Sequence, residues 1–600
     1  HPDNSVAAPN NASRACLAFL LGCFETVRSQ ETAIRCRMFP SSAVVARNAV
    51  TPNAAGRVRH TSSARTGFST KSLFRGHLVH IGAGPERVKR SGRSNTTPAI
   101  RTPTSVVRAC LDDTPSERTS ARTSRRPKVS PEFVCPRLTD AAKKLPKHNS
   151  PFAPGGEKHG YGLGQKFVED DDCVLLNALR YEPLECELNP NSEGCDFFAE
   201  DGADEDGDEW RGQWAMRAGP RETIFFEPHA VKAAIVTCGG LCPGLNDVIR
   251  QLVITLEEYG VDNIVGVKYG FRGFVEQEGK DRAPIALTSQ VVDTIHLNGG
   301  SILGSSRGGS DVGDIVDSIE TMDLDFLFVI GGNGSHAGAL AIDLMCRARN
   351  MKTAIVGIPK TIDNDILLLD RTFGFQTAVD EAIKAIRCGA IEARSAKNGI
   401  GLVRLMGRQS GFIATHAALA SGEVDCCLIP EINTPLAGKG GVLSHIRRVL
   451  NKKEHAVIVV ADGAGQDILG ALGETDASGN PVLQNFAKFL KLELQKELAD
   501  LEPDVKYIDP TYMVRARTTN ASDAIYCSIL GQNAVHAAFA GLTGVTVGLC
   551  NGHYVYLPIP PLIKRAREVD PNGRMWERLR LAINQPVYRE DTAAATVEVR

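Results

Sequence analysis

From about Val231 onward, two kinds of segment alternate along the chain. Short β-rich apolar runs are followed by longer stretches whose apolar residues recur at helical spacing. That alternation is the pattern of a parallel sheet covered by helices, an α/β fold class. The apolar runs predict strands at 233–236, 264–267, 324–330, 353–358, 400–406, 426–429 and 456–461. The periodic stretches predict helices at 244–258, 337–349, 377–394, 482–499 and 521–539. Residues 545–549 and 554–557 predict a closing pair of strands, and no repeat is evident.

Upstream of this body the pattern is lost and charge takes over. Residues 1–150 hold 25 Lys+Arg against 9 Asp+Glu, a net of +16. The remaining residues carry a net of −18, which leaves −2 for the 600-residue chain. A basic tail on an acidic body explains the split. The tail is rich in Arg, Ser, Thr, Ala and Pro, with basic clusters at Arg57-Val58-Arg59, Lys89-Arg90 and Arg125-Arg126. This is the composition of a transit segment for plastid or another organelle. A disordered basic tail without an address, on a cytoplasmic protein, is the alternative. Residues 151–215 carry acidic runs such as Glu169-Asp170-Asp171-Asp172 and predict a solvated linker. They lack the regular ligand spacing of an EF-hand. The expected organisation is therefore 1–150 extension, 151–215 acidic linker, 216–583 catalytic body and 584–600 tail.

Composition removes several classes. The longest uncharged apolar run, 15–24, is far short of the ~20 residues that span a bilayer, so no membrane span is expected. The cysteines show no zinc-ligand spacing. Cys238, Cys242, Cys426 and Cys427 sit in or beside strand-like runs, which predicts buried, unreactive thiols. The basic tail lacks interleaved aromatics, so nucleic acid is not an expected partner.

In a doubly wound sheet, ligands sit at the carboxyl ends of the strands, so the loops there carry the chemistry. After 233–236 comes Thr237-Cys238-Gly239-Gly240-Leu241-Cys242-Pro243-Gly244-Leu245-Asn246. Paired glycines allow a close phosphate approach, and Pro243 is placed to start a helix with an anion-attracting N-terminus. A plain tight turn explains the same glycines. After 324–330 comes a second such turn, Gly331-Gly332-Asn333-Gly334-Ser335. Two glycine turns in one sheet point to a polyphosphate. After 353–358 comes Pro359-Lys360-Thr361-Ile362-Asp363-Asn364-Asp365. One of its carboxylates can take a proton from an alcohol while the other helps hold magnesium. An Asx-turn loop is the plainer account of that segment. Leu303-Gly304-Ser305-Ser306-Arg307-Gly308-Gly309 adds an Arg able to stabilise a transferring phosphoryl group. Together these loops point to phosphoryl transfer onto a hydroxyl.

These residues resemble the 6-phosphofructokinases over about 216–583. The motifs that carry the likeness are TCGGLCPGLN, GSSRGG, the GG-x-GS turn, PKTIDND, Met406-Gly407-Arg408, Pro430-Glu431 and Tyr512-Met513-Val514-Arg515. With MRAGPR and YGFRGF, they are most similar to the plant and protist ATP-dependent branch, which is close to the pyrophosphate-dependent enzymes. The resemblance implies two doubly wound parallel-sheet lobes with the active site in the cleft between them, preceded by a largely disordered N-terminal extension. It implies phosphorylation of fructose 6-phosphate, with Mg²⁺ and ATP as donor, by a homo-oligomer, dimer or tetramer. Asp363 would be the base and Arg307 would stabilise the phosphoryl group. Gly239, Gly240, Arg307, Gly308, Gly332, Asn333, Gly334 and Ser335 would hold ATP. Thr361, Ile362, Asp363, Met406, Gly407, Arg408, Asp462, Lys506, Tyr512, Met513, Val514 and Arg515 would hold the sugar phosphate. Asn333 and Asp365 would serve the metal, and Gly334 with Lys360 would set the donor. In the family, Gly at position 334 leaves room for a nucleotide, while Asp there crowds and repels the inner phosphate and accompanies pyrophosphate use.

Two positions depart from the family's pattern. Asn333 stands where the bacterial pattern has a magnesium-binding Asp, and it brings no negative charge. Asp462 stands where Glu is usual and is one methylene shorter. Two other readings follow: a catalytically weakened regulatory subunit, which these departures favour, and a pyrophosphate-dependent enzyme, which Gly334 disfavours.

Overall fold

The computed structural model describes residues 128–140, 145–158, 166–176, 213–276, 283–470, 473–475 and 481–589. The expectations placed on residues 1–127, on most of 177–215 and on 590–600 lie outside the described residues. Thirteen strands build two sheets: β1 (Cys173–Leu175), β2 (Trp214–Arg217), β3 (Lys232–Thr237), β4 (Asn263–Val267), β5 (Ile285–Ala286), β6 (Phe326–Gly331), β7 (Ala354–Pro359), β8 (Gly399–Leu405), β9 (Cys426–Leu428), β10 (His455–Ala461), β11 (Asp504–Ile508), β12 (Val545–Cys550) and β13 (His553–Pro558). The helices used below are α1 (Leu245–Tyr259), α2 (Val312–Thr321), α3 (Asn333–Ala348), α4 (Phe375–Arg394), α5 (Phe412–Ser421), α6 (Val442–Lys453), α7 (Phe486–Glu497), α8 (Thr511–Arg515), α9 (Ala521–Phe539) and α10 (Arg574–Ala582).

The large sheet has nine strands in the order β1-β2-β13-β12-β7-β6-β3-β4-β5. Its centre, from β12 to β4, is parallel. This is the parallel sheet expected for the lobe, with antiparallel strands added at both edges. The expected closing pair is β12 and β13. The second sheet, β9-β10-β8-β11, is parallel throughout. Strands β6 and β7 are buried at every residue. Phe326, Phe328 and Ile330 face a core shared with α1 and α9, while Leu327 and Val329 face α2 and α3. Helices on both faces explain why these strands read as unbroken apolar runs. The 20-residue α4 packs against α9 on one side and against α5 and the second sheet on the other, so it ties the lobes together.

Element ends move by a few residues, three of them for identifiable reasons. Helix α3 begins at Asn333 rather than 337, because the Gly332 carbonyl already accepts from the Ser335 and His336 N–H groups, both at 3.0 Å. Helix α7 is shorter than 482–499, since the Asn485 side chain caps it by accepting from the Lys488 N–H at 3.0 Å. Pro243 does not begin α1; Gly244 intervenes as its cap with φ +103°. A Cβ on Gly244 would stand 2.6 Å from Cys527 Sγ and 2.9 Å from the Phe373 ring, so only glycine serves.

The folded body also begins well before 216. Phe133, Leu138, Leu145 and Phe152 are buried, and the Phe152 ring meets Tyr259 edge-on at 5.0 Å. Inside the acidic run, Asp170 pairs with Arg137 at 2.8 Å and Arg221 at 3.0 Å, and β1 follows directly. Thus a few apolar anchors suffice to dock a charge-rich segment that its mean composition marks as linker. The four singled-out cysteines are buried and free. Burial pushes the Cys238 and Cys426 thiols up to about 12, which makes them inert. Among the described residues, no helix is long and apolar enough to cross a membrane.

Candidate active site

The order of strands locates the site. From β3 the chain goes to β4 on one side and then to β6 on the other. The reversal opens a crevice at the carboxyl ends of β3 and β6. Both glycine turns lie there. The loops after β7 and β8 approach the same crevice, and a cavity of about 470 Å³ joins them. It is lined by Gly239, Gly240, Arg307, Gly308, Gly332, Asn333, Gly334, Ser335, Lys360, Thr361, Ile362, Asp363, Asp365, Met406, Arg408 and Arg515, among others.

The first turn is braced from below. Gly239 has φ +85°, and a Cβ there would lie 3.1 Å from Lys360 Nζ. The Lys360 ammonium donates to the Gly240 carbonyl at 2.7 Å. Burial lowers its pKa, against the pull of nearby Asp365 and Asp363. Arg307 and Arg515 each bring a guanidinium nitrogen within 3.7 Å of the point where a Gly240 Cβ would sit. Two planar cations at a glycine turn suit phosphate oxygens. Around Gly334 a Cβ would meet nothing within 4 Å, so that edge of the cavity is open.

The loop after β7 divides its labour. Asn364, at φ +58°, makes the turn, its Oδ1 accepting from the Thr372 N–H at 2.9 Å. Ser410 Oγ donates to the Asp363 carbonyl at 3.1 Å, and the Asp363 N–H donates to Thr361 Oγ1 at 3.1 Å. The asparagine thereby meets the turn's needs, and the flanking aspartates stay available. Asp363 Oδ1 and Asp365 Oδ1 are buried without hydrogen-bond partners. Burial, then the charges of Asp365 and Asp462, lifts the Asp363 carboxyl to about 7, with Lys360 and Arg408 opposing. Burial also raises Asp365. A carboxyl near 7 is suited to general-base work at neutral pH.

A third orphaned oxygen, Asn333 Oδ1, lines the same cavity, while Asn333 Nδ2 donates to the Asp365 carbonyl at 3.1 Å. Unsatisfied buried oxygens fit a hard cation that shares its shell with phosphate and water. No group of three or more His, Cys, Asp or Glu placed to hold a metal by themselves occurs among the described residues.

The residues expected to hold the sugar are placed less uniformly. Gly407 makes a backbone turn at φ +137° beside the cavity. Asp462 follows β10 and is ion-paired to Arg404 at 2.9 Å; burial lifts its carboxyl to about 6. Lys506 does not reach the cavity: its ammonium pairs with Asp504 at 2.9 Å on β11. Tyr512 and Met513 are 74% and 67% exposed, with the Arg515 guanidinium 5.1 Å from the Tyr512 ring. Val514 is in the core, which takes its side chain out of the site. The sequence reading missed Phe271, Ser410 and Arg404. Phe271 lines the cavity and would lie 2.9 Å from a Cβ on Gly338. The clue was Gly334 and Gly338 at helical i, i+4 spacing, which leaves a groove on one helix face.

The family profile described as Phosphofructokinase matches residues 232–538, from β3 through α9. This chain belongs to the phosphofructokinase family. It is 54% identical over 434 residues to "ATP-dependent 6-phosphofructokinase 5, chloroplastic" of Arabidopsis thaliana, covering 72% of this chain and 77% of that one. It is 49% identical over 431 residues to "ATP-dependent 6-phosphofructokinase 1" of the same plant, covering 71% and 85%. Among solved structures, a pyrophosphate-dependent phosphofructokinase from Marinobacter aquaeolei matches with a TM-score of 0.49 at 18% identity, covering 59% and 91%.

Proposed function

We propose that this chain transfers the γ-phosphoryl group of ATP to the 1-hydroxyl of fructose 6-phosphate, the committed chemistry of glycolysis. The observation that carries the reading is Asp363: a buried carboxyl with a partner-free oxygen, in one cavity with two glycine turns and the guanidinium groups of Arg307 and Arg515. Asp363 accepts the hydroxyl proton. The freed oxygen attacks the γ-phosphorus, the bond to the β–γ bridging oxygen breaks, and ADP departs. Arg307 stabilises the charge on the moving group, and Lys360 keeps the Gly239-Gly240 cradle in place. Arg408 and Arg515 hold the sugar phosphate. Asn333 and Asp365 would hold Mg²⁺, which supplies charge neutralisation on the phosphate oxygens when bound. Gly334 admits the nucleotide.

The names of the two Arabidopsis relatives support ATP as the donor. The test is a coupled assay on the full chain with fructose 6-phosphate, Mg²⁺ and either ATP or pyrophosphate. Turnover with ATP is expected. Turnover with pyrophosphate alone would overturn the donor assignment, and silence with both would favour the regulatory subunit that Asn333 suggests.

Plastid import belongs to the same reading. It rests on the basic, Ser- and Arg-rich composition of residues 1–150 and on the chloroplastic relative. A full-length fluorescent fusion confined to the cytosol would count against it. Homo-oligomeric assembly is the expected state, and sedimentation as a monomer would contradict it.

A further inference from the structure

The second sheet places three charged residues at its carboxyl edge. Arg404 lies near the end of β8, the strand flanked by β10 and β11. Asp462 is the first residue after β10, and Asp509 the first after β11. Arg404 spans the two: its Nη1 donates to Asp509 Oδ2 at 2.9 Å, and its Nε lies 2.9 Å from Asp462 Oδ1 as an ion pair without hydrogen-bond geometry. One planar guanidinium thus hydrogen-bonds one carboxylate and neutralises the other, a reach that a point-charge ammonium lacks.

Each carboxylate leads to the site. Asp462 is mostly buried; its N–H donates to the Leu405 carbonyl at 2.9 Å and the Gly463 N–H to the Gly407 carbonyl at 2.9 Å, which sets it beside Met406 and Arg408 of the cavity lining. Asp509 Oδ1 accepts from the Thr511 hydroxyl and from the Thr511 N–H, the latter at 3.3 Å, at the start of α8. Helix α8 has five residues, too few to hold themselves in place by their own hydrogen bonds. It is fixed by Val514 in the core and by this anchor at its first turn, and it delivers Arg515 to the cavity.

We propose that Arg404 is a positioning residue for sugar-phosphate binding, locking Asp462 and the Arg515-bearing helix into one arrangement. The inference rests on the kinase reading above. It also accounts for Asp462: the shorter side chain is held against a cation in its own sheet, so its position is set by Arg404.

The test uses the full chain and reads both turnover and fructose 6-phosphate binding by calorimetry. Arg404→Gln is expected to weaken sugar-phosphate binding and raise its KM roughly tenfold or more, with the ATP KM within about twofold of wild type. Asp509→Asn should do the same, and the double variant should be little worse than either single one, because both break one chain of contacts. Arg404→Lys should fall between wild type and Arg404→Gln. If Arg404→Gln does not fold, Arg404→Lys and Asp509→Asn carry the test. Unchanged fructose 6-phosphate affinity, equal rises in both KM values, or additive effects in the double variant would overturn the proposal. Absence of turnover in the wild type, with binding intact and weakened in the variants, would overturn the kinase reading and leave this one standing.

Discussion

Replacing Gly334 by Asp separates donor choice from stability. The residue is second in α3, and a Cβ there touches nothing within 4 Å, so the new side chain enters the cavity rather than the protein. An Asp in a first helical turn faces the positive end of the helix dipole, and losing a helical glycine is favourable by about 0.5–1 kcal/mol. Stability should therefore hold or rise slightly. For MgATP the effect is opposite. A carboxylate about 4 Å from a phosphate charge, at an effective dielectric constant near 20, costs about 4 kcal/mol. That converts to about a thousandfold in kcat/KM. The Lys360 ammonium offsets only part of this, since it is already committed to the Gly240 carbonyl. Gly334→Ala fills the same space without charge and should lose far less. The assay is kcat/KM for MgATP at saturating fructose 6-phosphate, with chemical denaturation as the stability control. A folded Gly334→Asp enzyme within about tenfold of wild type would refute exclusion as the basis of donor choice.

Asp363→Asn should cut kcat by about 10²–10⁴ with a smaller change in KM. Because Asp363 acts as a base only when ionised and burial lifts it to about 7, wild-type kcat/KM should fall about tenfold per unit below that pH; an acid limb near pH 4 would contradict the assignment. Glu431 is a stability counterpart away from the phosphates: burial lifts it to about 7, although its Oε1 accepts from the Gly411 and Val569 N–H groups, both at 2.8 Å. Its folded form binds a proton more tightly than its unfolded form, so it weakens the fold progressively as pH rises from about 4.5 to about 7. Glu431→Gln should stabilise the protein at pH 8 by up to about 3 kcal/mol and have little effect at pH 4; equal effects at both pH values in thermal melts would count against this.

Legibility from sequence followed local physics. The apolar runs of β6 and β7 and the periodic α9 were readable because burial on both faces, or on one helical stripe, leaves a signature within a few residues. Helix α5 was not, since its Ala-rich stretch is buried on most sides and carries no polar face. Strand β1 was hidden because Cys173–Leu175 is three residues inside an acid-rich stretch. At the site, PKTIDND announced two carboxylates, yet only the fold separated the turn-making Asn364 from its neighbours. Likewise YMVR named four candidates, and the one-turn helix sent Arg515 to the cavity, Val514 to the core, and Tyr512 and Met513 to the surface.

The sequence alone thus determined the α/β class, the loops that carry the chemistry and the charge types each loop supplies. These depend on spacing along the chain. Tertiary structure decided which loops share a cavity, which aspartate oxygens are buried without a partner, that Lys506 is left outside, and that Arg404 joins Asp462 to Asp509. Those outcomes depend on strand order and on burial, which bring residues a hundred positions apart within 3 Å and set how far each charge is removed from water.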